Sequence, residues 1–306
     1  MDNLMGFAIG HLTVIEISGA DRNKILNNLC TQDLRAIQPG QVKETFMLDV
    51  KGRTLSHGVV ACLDSRTFFI SSPGQAQRLV PHIDRYIIRE DAVVRDASEE
   101  FYAFLQPPES RWSAGNRRET LGDKECSERD SDQTLCVAAA WLGHGTVLVL
   151  SKTQSQDVWD CQSSDCMDRQ GWELQRIEHF WPWYGVDLDE KNLPQEAGIN
   201  TRTISFNKGC YLGQETVARL DALGQVQKQL ASVILHLAQD GGLACPYELV
   251  LEGKSIGFVT SAARISLTEA SGSLWAGLAM LRRGYFQPAG QFLLDGGALL
   301  KIGRGL

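Results

Sequence analysis

The stretch after Gly224 places the strongest limit on the fold, because it alternates apolar and polar residues and shows no long helical pattern. Alternation with a period of two is typical of strands that bury one face. Turns with glycine or proline separate the alternating runs, which are ASVILHL, YELVLEG, KSIGFVTSA, SLWAGLAML and GQFLLDG. Short strands with frequent turns predict a small antiparallel β-barrel or sandwich over residues 224–306.

The first hundred residues predict an α+β domain. Residues 42–50 and 53–62 have strand character and meet around Lys51-Gly52, so they predict a hairpin. Further strands are predicted at 11–19, 66–71 and 93–94, with one helix after Asp21 that carries Ile25, Leu26 and Leu29 and a second after Ser72-Pro73 that carries Leu79 and Ile83. The resulting order over residues 1–100, β-α-β-β-β-α-β, is close to a ferredoxin-like fold.

Residues 101–223 predict a second domain of the same class. Strands are expected at 134–141 and 146–151, followed by a helix at 154–168 and a strand near 172–175. The stretch 107–133 is rich in Pro, Gly, Ser and charged residues, which predicts a variable surface excursion.

The composition is that of a globular chain with a net negative charge. Of the 306 residues, 43% are hydrophobic and 22% are charged, and the net charge is −7. Clustered Lys and Arg drive binding to nucleic acid, so no direct nucleic-acid partner is expected. Residues 1–18 show no basic and apolar leader, and the most apolar segment, 137–150, is too short to span a bilayer. We therefore expect a cytoplasmic protein without a membrane partner.

The eight cysteines predict thiols, because a cytosolic compartment is reducing. There is no CxxC motif, and the closest pair, Cys161 and Cys166, has no histidine at ligand spacing. No metal site is predicted, and most of the cysteines are expected to act as small buried apolar side chains.

Residues 208–215, KGCYLGQE, combine a lysine, two glycines, a cysteine and a glutamate. Residues 214–220 favour a helix, so Cys210 is expected just before this helix or in its first turn. A helix N-terminus and the neighbouring Lys208 are features that activate a thiol, which makes Cys210 a candidate reactive thiolate. The alternative is a buried structural cysteine in a glycine-rich cap, with Lys208 in solvent.

A second cluster of candidate residues lies within 175–198. It contains aromatic and charged side chains, namely Arg176, Glu178, Trp181, Trp183, Tyr184, Asp187 and Glu196. A heteroaromatic ligand needs flat faces for stacking and a carboxylate for its ring N–H groups, which Tyr184 and Glu178 can supply. The alternative is an aromatic cluster at a domain junction, with the acids facing water.

A third candidate is the turn within 44–57, where Lys51 and Arg53 flank Gly52 and can meet an anionic group. A solvated hairpin tip is the alternative.

The three regions together resemble one known family. KGCYLGQE followed by TVARL resembles the K-G-C-Y-x-G-Q-E signature of the YgfZ family, which contains folate-binding proteins related to the T-protein of the glycine cleavage system (GcvT, an aminomethyltransferase). Further blocks follow in the order found in that family, namely LCTQDL, DVKGRTL, YGVDL with LPQEAG, SIGFVTS and GLAMLRR. The resemblance covers nearly the whole chain except 107–133.

This resemblance implies a fold and a cofactor. It implies two ferredoxin-like α+β domains and a small antiparallel β-barrel, arranged around a central opening that holds tetrahydrofolate or a derivative. Glu178 matches a glutamate that pairs with the pterin edge, within an R-x-E pattern that begins at Arg176, and Tyr184 matches an aromatic residue nearby. We add Trp183 and the cations Lys51 and Arg53 as further candidate folate contacts.

The resemblance also implies a role in making or repairing iron–sulfur enzymes, with Cys210 as the hallmark thiol. The best-known member is called a tRNA-modifying protein because it supports an iron–sulfur enzyme that thiomethylates tRNA. Iron–sulfur client enzymes are therefore the expected partners. One thiol cannot hold a cluster, which needs about four ligands, so a partner, a second subunit or folate would have to complete the set.

The sequence departs from the T-protein where that protein has an acidic pair that helps methylene transfer. Ser56 and His57 take this place, and we expect His57 at the surface, although it can exchange a proton near neutral pH. The departure favours a folate-binding accessory protein over a conventional aminomethyltransferase. Two alternatives remain: a folate-dependent aminomethyltransferase or demethylase, with Asp49 or Glu44 as the replacement acid, and a folate-free scaffold.

Overall fold

The computed structural model describes residues 7–106, 124–129, 134–152, 169–237, 242–267 and 272–303. By its internal contacts the chain groups into two units. The first takes residues 1–168 and 201–216, and the second takes residues 169–200 and 217–306. The KGCYLGQE stretch therefore belongs to the first unit, and the cluster around Glu178 belongs to the second.

The described elements are five α-helices and sixteen strands. The helices are α1 (Arg22–Leu29), α2 (Ala76–Asp84), α3 (Arg169–Glu178), α4 (Asn200–Thr203) and α5 (Gln214–Leu223). The strands are β1 (Phe7–Gly10), β2 (Thr13–Ser18), β3 (Val42–Leu48), β4 (Thr54–Cys62), β5 (Arg66–Ser71), β6 (Val93–Asp96), β7 (Tyr102–Gln106), β8 (Cys126–Arg129), β9 (Thr134–Ala138), β10 (Val147–Ser151), β11 (Lys228–Leu237), β12 (Tyr247–Leu251), β13 (Lys254–Leu267), β14 (Ser273–Arg282), β15 (Gln291–Leu293) and β16 (Leu299–Ile302).

The first sheet of the first unit has the order β3-β4-β5-β2-β6 and is antiparallel throughout. The predicted hairpin of β3 and β4 is confirmed, with Phe46 opposite His57. Helices α1 and α2 cover one face of this sheet. The side chains that form the core there are Ile25, Leu26 and Leu29 of α1, Leu79 and Ile83 of α2, and Ile15, Met47, Val60 and Phe69 of the strands. Each such burial contributes about 1.5–3 kcal/mol, which holds the two helices on the sheet.

The second sheet of the first unit has the order β1-β7-β10-β9-β8. Strand β8 lies inside the predicted excursion 107–133, so residues 126–129 of that stretch form an edge strand of this sheet. The strand CSER has one buried apolar residue, Cys126, and its pairing with β9 determines its structure more than its own sequence does. The predicted helix at 154–168 lies outside the described residues.

The second unit contains the strands predicted after Gly224. They form one antiparallel sheet with the order β12-β13-β14-β11-β16-β15. The sheet curls around a core that includes Leu235, Leu249 and Leu281. The main-chain N–H of Asp295, just after β15, donates to the carbonyl of Val250 on β12 at 2.9 Å, which brings the two ends of the sheet together.

Helix α3 packs on β13 and β14 in the second unit. The predicted strand near 172–175 is therefore wrong, because these residues form the middle of this helix. Trp172, Arg176 and Ile177 are all buried, and the spacing of four residues places Trp172 and Arg176 on one side of the helix. The alternating letters of Trp172 to Gln175 suggested a strand only because the window was short.

Candidate functional site

Lys208 anchors the signature loop of the first unit to the end of helix α1. Its side chain is 6% exposed, and Nζ donates to the main-chain carbonyls of Asn27, Cys30 and Gln32, each at 2.7 Å. Carbonyls at a helix C-terminus lack partners inside the helix, so a lysine there stabilises the end. Burial lowers the pKa of Lys208 to about 8. Lys208 is thus not in solvent, because it is buried and its three N–H groups donate to main-chain carbonyls.

Gly213 holds the other end of the loop against the turn between β3 and β4. Its φ is +76°, and a Cβ there would lie 2.6 Å from both the carbonyl oxygen of Asp49 and the Cα of Gly52. The hydroxyl of Thr216 donates to the carbonyl of Lys51 at 2.9 Å. The turn is therefore more than a solvated hairpin tip, although the side chains of Lys51 and Arg53 are exposed.

Cys210 lies between these two anchors and is exposed. Helix α5 begins at Gln214, so the thiol precedes the helix by one turn. Beside it, Tyr211 is 9% exposed, with the ammonium of Lys208 4.8 Å from its ring centroid, and its main-chain N–H donates to Gln214 Oε1 at 3.2 Å. The loop thus fixes the residues around the cysteine and leaves the thiol at the surface.

The other described cysteines differ from Cys210 in their surroundings. Cys30, Cys62, Cys126 and Cys136 are buried, as predicted for small apolar side chains. Burial raises the pKa of both Cys30 and Cys126 to about 12. Cys245 is exposed, but desolvation, together with Asp187 and Glu173, raises its pKa to about 11.

Glu178 lies at the rim of a pocket of about 270 Å³ in the second unit. The residues that line it are Ile177, Glu178, Ser232, Val233, Ile234, Ala276, Gly277 and Gly303. Val233 and Leu235 belong to the core of the curled sheet, so Ser232 and Ile234 face the opposite side of β11. The pocket therefore lies between the end of α3 and the outer face of the sheet.

Ser232 has a hydroxyl oxygen that is buried and lacks a hydrogen-bond partner among the described residues. Its main chain is held in place because Gly303 N–H donates to the Ser232 carbonyl at 3.1 Å. The sequence analysis did not identify Ser232. The sequence around Ser232, ASVILHL, does not indicate a pocket. The pocket forms only where this strand meets Glu178 on α3, which is distant in sequence.

Arg176 does not line this pocket. Its guanidinium is 1% exposed and donates from Nη1 to Asp187 Oδ2 at 2.7 Å and from Nη2 to Glu173 and Ser261 at 2.6 Å. Burial alone would lower the pKa of Arg176, but Asp187 and Glu173 outweigh it and raise the pKa above its usual value. Arg176 therefore ties the helix that carries Glu178 to strand β13.

Asp187 is the centre of this buried network. Its carboxylate also accepts from the hydroxyls of Thr260 and Ser261 at 2.6 Å and from the main-chain N–H of Trp183 at 2.9 Å. Trp183 lies with its ring centroid 5.3 Å from the Arg176 guanidinium, and Tyr184 is 5% exposed. Neither aromatic residue lines the pocket beside Glu178, so their role as folate contacts stays a prediction.

His57 is buried, at 2% exposure, so the expectation of a surface histidine is wrong. Strand β4 is covered on both faces, which the local sequence did not reveal. His57 Nε2 lies 2.8 Å from Glu44 Oε1, and the other oxygen of Glu44 lies 2.7 Å from Arg202 Nε. A carboxylate is thus paired with His57. Ser56 is buried beside it.

Among the described residues no group of three or more His, Cys, Asp or Glu side chains is arranged to hold a metal ion. The pair Cys161 and Cys166 lies outside those residues. In the described part of the chain, no helix is long and apolar enough to cross a membrane.

Comparison with known proteins identifies a matching domain model and a similar fold. The family model described as the GCVT N-terminal domain matches residues 3–112. The structure resembles the crystal structure of the glycine cleavage system aminomethyltransferase T from Bartonella henselae, with a TM-score of 0.75 over 97% of this chain and 84% of that chain. The two sequences are 13% identical, so this likeness establishes an aminomethyltransferase-like fold.

Particular relatives fall into three groups. A chloroplastic protein of Arabidopsis thaliana that is named as a transferase is 26% identical over 83% of this chain, which spans 60% of its length. An aminomethyltransferase of Rippkaea orientalis is 23% identical over 83% of this chain and 73% of its own. An iron–sulfur cluster assembly factor, the mitochondrial IBA57 homologue of Phaeosphaeria nodorum, is 25% identical over 77% of this chain and 56% of its own.

Proposed function

We propose that this protein binds tetrahydrofolate or a closely related reduced folate and supports the assembly or repair of iron–sulfur enzymes. The observation that carries the proposal is the position of Glu178 at the rim of a pocket in a fold shared with an aminomethyltransferase. Names of relatives support both halves, because they include aminomethyltransferases and iron–sulfur cluster assembly factors. The YgfZ identity and a cytoplasmic location remain predictions.

The chemistry of the pocket fits the pterin end of a folate. Its volume of about 270 Å³ is just below the range of about 300–1,000 Å³ for ligand pockets, so it suits a ring system rather than the whole molecule. Ile177, Ile234 and Ala276 offer apolar contacts to a flat ring. Glu178 can accept from ring N–H groups, and the partnerless hydroxyl of Ser232 indicates a polar group that a ligand can complete.

Bound tetrahydrofolate would supply a carrier for one-carbon groups. The residues of this chain would bind it and orient it: Glu178 through its carboxylate, and Arg176 by holding α3 in place. Lys51 and Arg53 are exposed cations of the first unit, and their contact with a folate stays a prediction.

The iron–sulfur half of the proposal depends on Cys210. The signature loop leaves this thiol exposed while Lys208, Tyr211 and Gly213 all have structural contacts. A single thiolate can act as one ligand of a cluster while the cluster passes to a client protein. The partner supplies the other ligands. The role requires access to the thiol, which the structure provides.

Calorimetry with tetrahydrofolate under anaerobic conditions tests the folate half. Glu178→Gln should weaken binding about 10- to 100-fold, because a hydrogen bond to a charged group is worth about 1.5–3 kcal/mol. Glu190→Gln, at an exposed acid of the same unit, is the matched control and should bind like the native protein. Cys210→Ala should also bind normally. Absence of binding by the native protein would overturn the proposal and favour a folate-free scaffold.

Reactivation of an oxygen-damaged [4Fe–4S] hydro-lyase, with iron, sulfide and a reductant supplied, tests the iron–sulfur half. Native protein should raise the reactivation rate, and Cys210→Ala and Cys210→Ser should not. Equal rates with the native and Cys210→Ala proteins would remove the thiol from the proposal.

A second candidate function, a folate-dependent aminomethyltransferase or demethylase, is favoured by one observation. Glu44 supplies a carboxylate 2.8 Å from His57, where the resemblance to the T-protein calls for acidic residues. Such a pair can move a proton during one-carbon transfer. Transfer of the one-carbon group of an S-aminomethyl thiol, which is already at the oxidation level of formaldehyde, to tetrahydrofolate with release of ammonia would reveal this activity. Glu44→Gln should abolish it, whereas no transfer by the native protein excludes this candidate.

A further inference from the structure

The pocket beside Glu178 contains a second polar group, the hydroxyl of Ser232, that a ligand can contact. Among the described residues, the Ser232 hydroxyl oxygen is buried without a hydrogen-bond partner. A buried hydroxyl without a partner lowers stability, so such groups usually find a protein, water or ligand partner. Ser232 lies in the wall of the same pocket as Glu178, so a ligand bound in the pocket can supply the missing hydrogen-bond partner.

The strand that carries Ser232 holds it firmly. Residue 232 pairs with Leu278 of β14, and its carbonyl accepts from Gly303 N–H, so the main chain is fixed on both sides. The neighbours Ile234 and Ala276, also in the pocket wall, are apolar. The hydroxyl is thus one polar group in an apolar surface on a rigid element, which is how specific ligand contacts are usually built.

We infer that Ser232 is a ligand-contacting residue and that its hydroxyl and the Glu178 carboxylate together recognise the polar edge of a bound pteridine. A carboxylate can only accept hydrogen bonds, whereas a hydroxyl can donate one as well. An edge that carries both N–H groups and a ring carbonyl presents donors and an acceptor side by side, and the two side chains match this mixture. The inference rests on the proposed folate function, and it assigns a residue that the sequence analysis did not identify.

The test compares Ser232→Ala with Ser255→Ala. Ser255 lies on β13 in the same sheet and also has a buried hydroxyl oxygen without a described partner, but it does not line the pocket. Calorimetric titration with tetrahydrofolate should show about tenfold weaker binding by Ser232→Ala, the cost of one buried hydrogen bond, and unchanged binding by Ser255→Ala. Ser232→Thr, which keeps a hydroxyl, should retain binding within a few-fold.

Thermal unfolding without ligand separates a binding role from a structural one. Removal of a partnerless hydroxyl should leave the melting temperature of Ser232→Ala equal to that of the native protein or higher. A lower melting temperature with unchanged affinity would show a structural role and overturn the inference. If the native protein binds and Ser232→Ala binds equally well, the inference fails while the folate proposal stands. If the native protein does not bind, both fail.

Discussion

The ammonium of Lys208 lies 2.7 Å from the carbonyl oxygen of Cys30, a residue 178 positions earlier in the chain. Two further carbonyls, those of Asn27 and Gln32, accept its other protons at the same distance. The lysine of the signature therefore closes the end of helix α1 and fixes the loop that presents Cys210.

Lys208→Met should destabilise the first unit by about 2–4 kcal/mol, because it leaves three main-chain carbonyls without their charged donor while keeping the aliphatic chain. Urea unfolding followed by circular dichroism measures this loss. Lys24→Met is the matched control on α1. Lys24 is 59% exposed and pairs with Asp21 and Glu90 at 3.7 Å, so its loss should cost less than about 1 kcal/mol. Equal effects of the two substitutions would contradict the structural role of Lys208.

Gly213→Ala and Gly74→Ala form a matched pair. Their φ angles are +76° and +77°, but a Cβ at Gly213 would lie 2.6 Å from backbone atoms of Asp49 and Gly52, whereas nothing lies within 4 Å of a Cβ at Gly74. Gly74→Ala should cost about 1–2 kcal/mol from the left-handed backbone alone. Gly213→Ala should cost clearly more, because the loop must move off the turn. Equilibrium unfolding of both variants gives the comparison, and a Gly213→Ala loss no larger than that of Gly74→Ala would show that the loop is not tightly docked.

Arg176→Met should destabilise the second unit by about 3–5 kcal/mol, because the side chain of Asp187 is fully buried and would lose its counterion. The double variant Arg176→Met/Asp187→Asn should be more stable than the sum of the single changes predicts, since it removes both charges. Arg95→Met is the surface control. The Arg95 side chain is 40% exposed in its pairs with Glu16 and Glu100, so the expected loss is below about 1 kcal/mol.

Local patterns predicted much of the strand content. Strand β5 occupies the predicted range of 66–71, and the alternating runs after Gly224 form strands, because a period of two is visible within a few residues. Helix α3 was predicted as a strand near 172–175. Its identity depends on packing against β13 and β14, about ninety residues later in the chain, which a window of four residues does not contain.

The candidate site was predictable only in part. The residues KGCYLGQE drew attention to Cys210, but the partners of Lys208 are 176 to 181 residues away, so its burial could not be read from neighbours. His57 was expected at the surface because one hairpin does not show that both of its faces are covered. Ser232 and Glu178 meet at one pocket through tertiary packing alone.

Cys210 should be the first cysteine of the described part of the chain to react with an alkylating reagent. In a Cys161→Ser/Cys166→Ser background, which removes the two thiols outside that part, iodoacetamide at pH 8 should modify the exposed Cys210 before the others. Cys245, with its pKa raised to about 11, has only about one thiolate in a thousand at pH 8, and its rate should rise as the pH approaches 11. The buried Cys30 and Cys126 should react only after unfolding, since burial raises the pKa of each to about 12. Peptide mass spectrometry assigns each site. Cys210→Ala should remove the fast phase of alkylation. A fast phase that persists in this variant would show that another thiol is the accessible one.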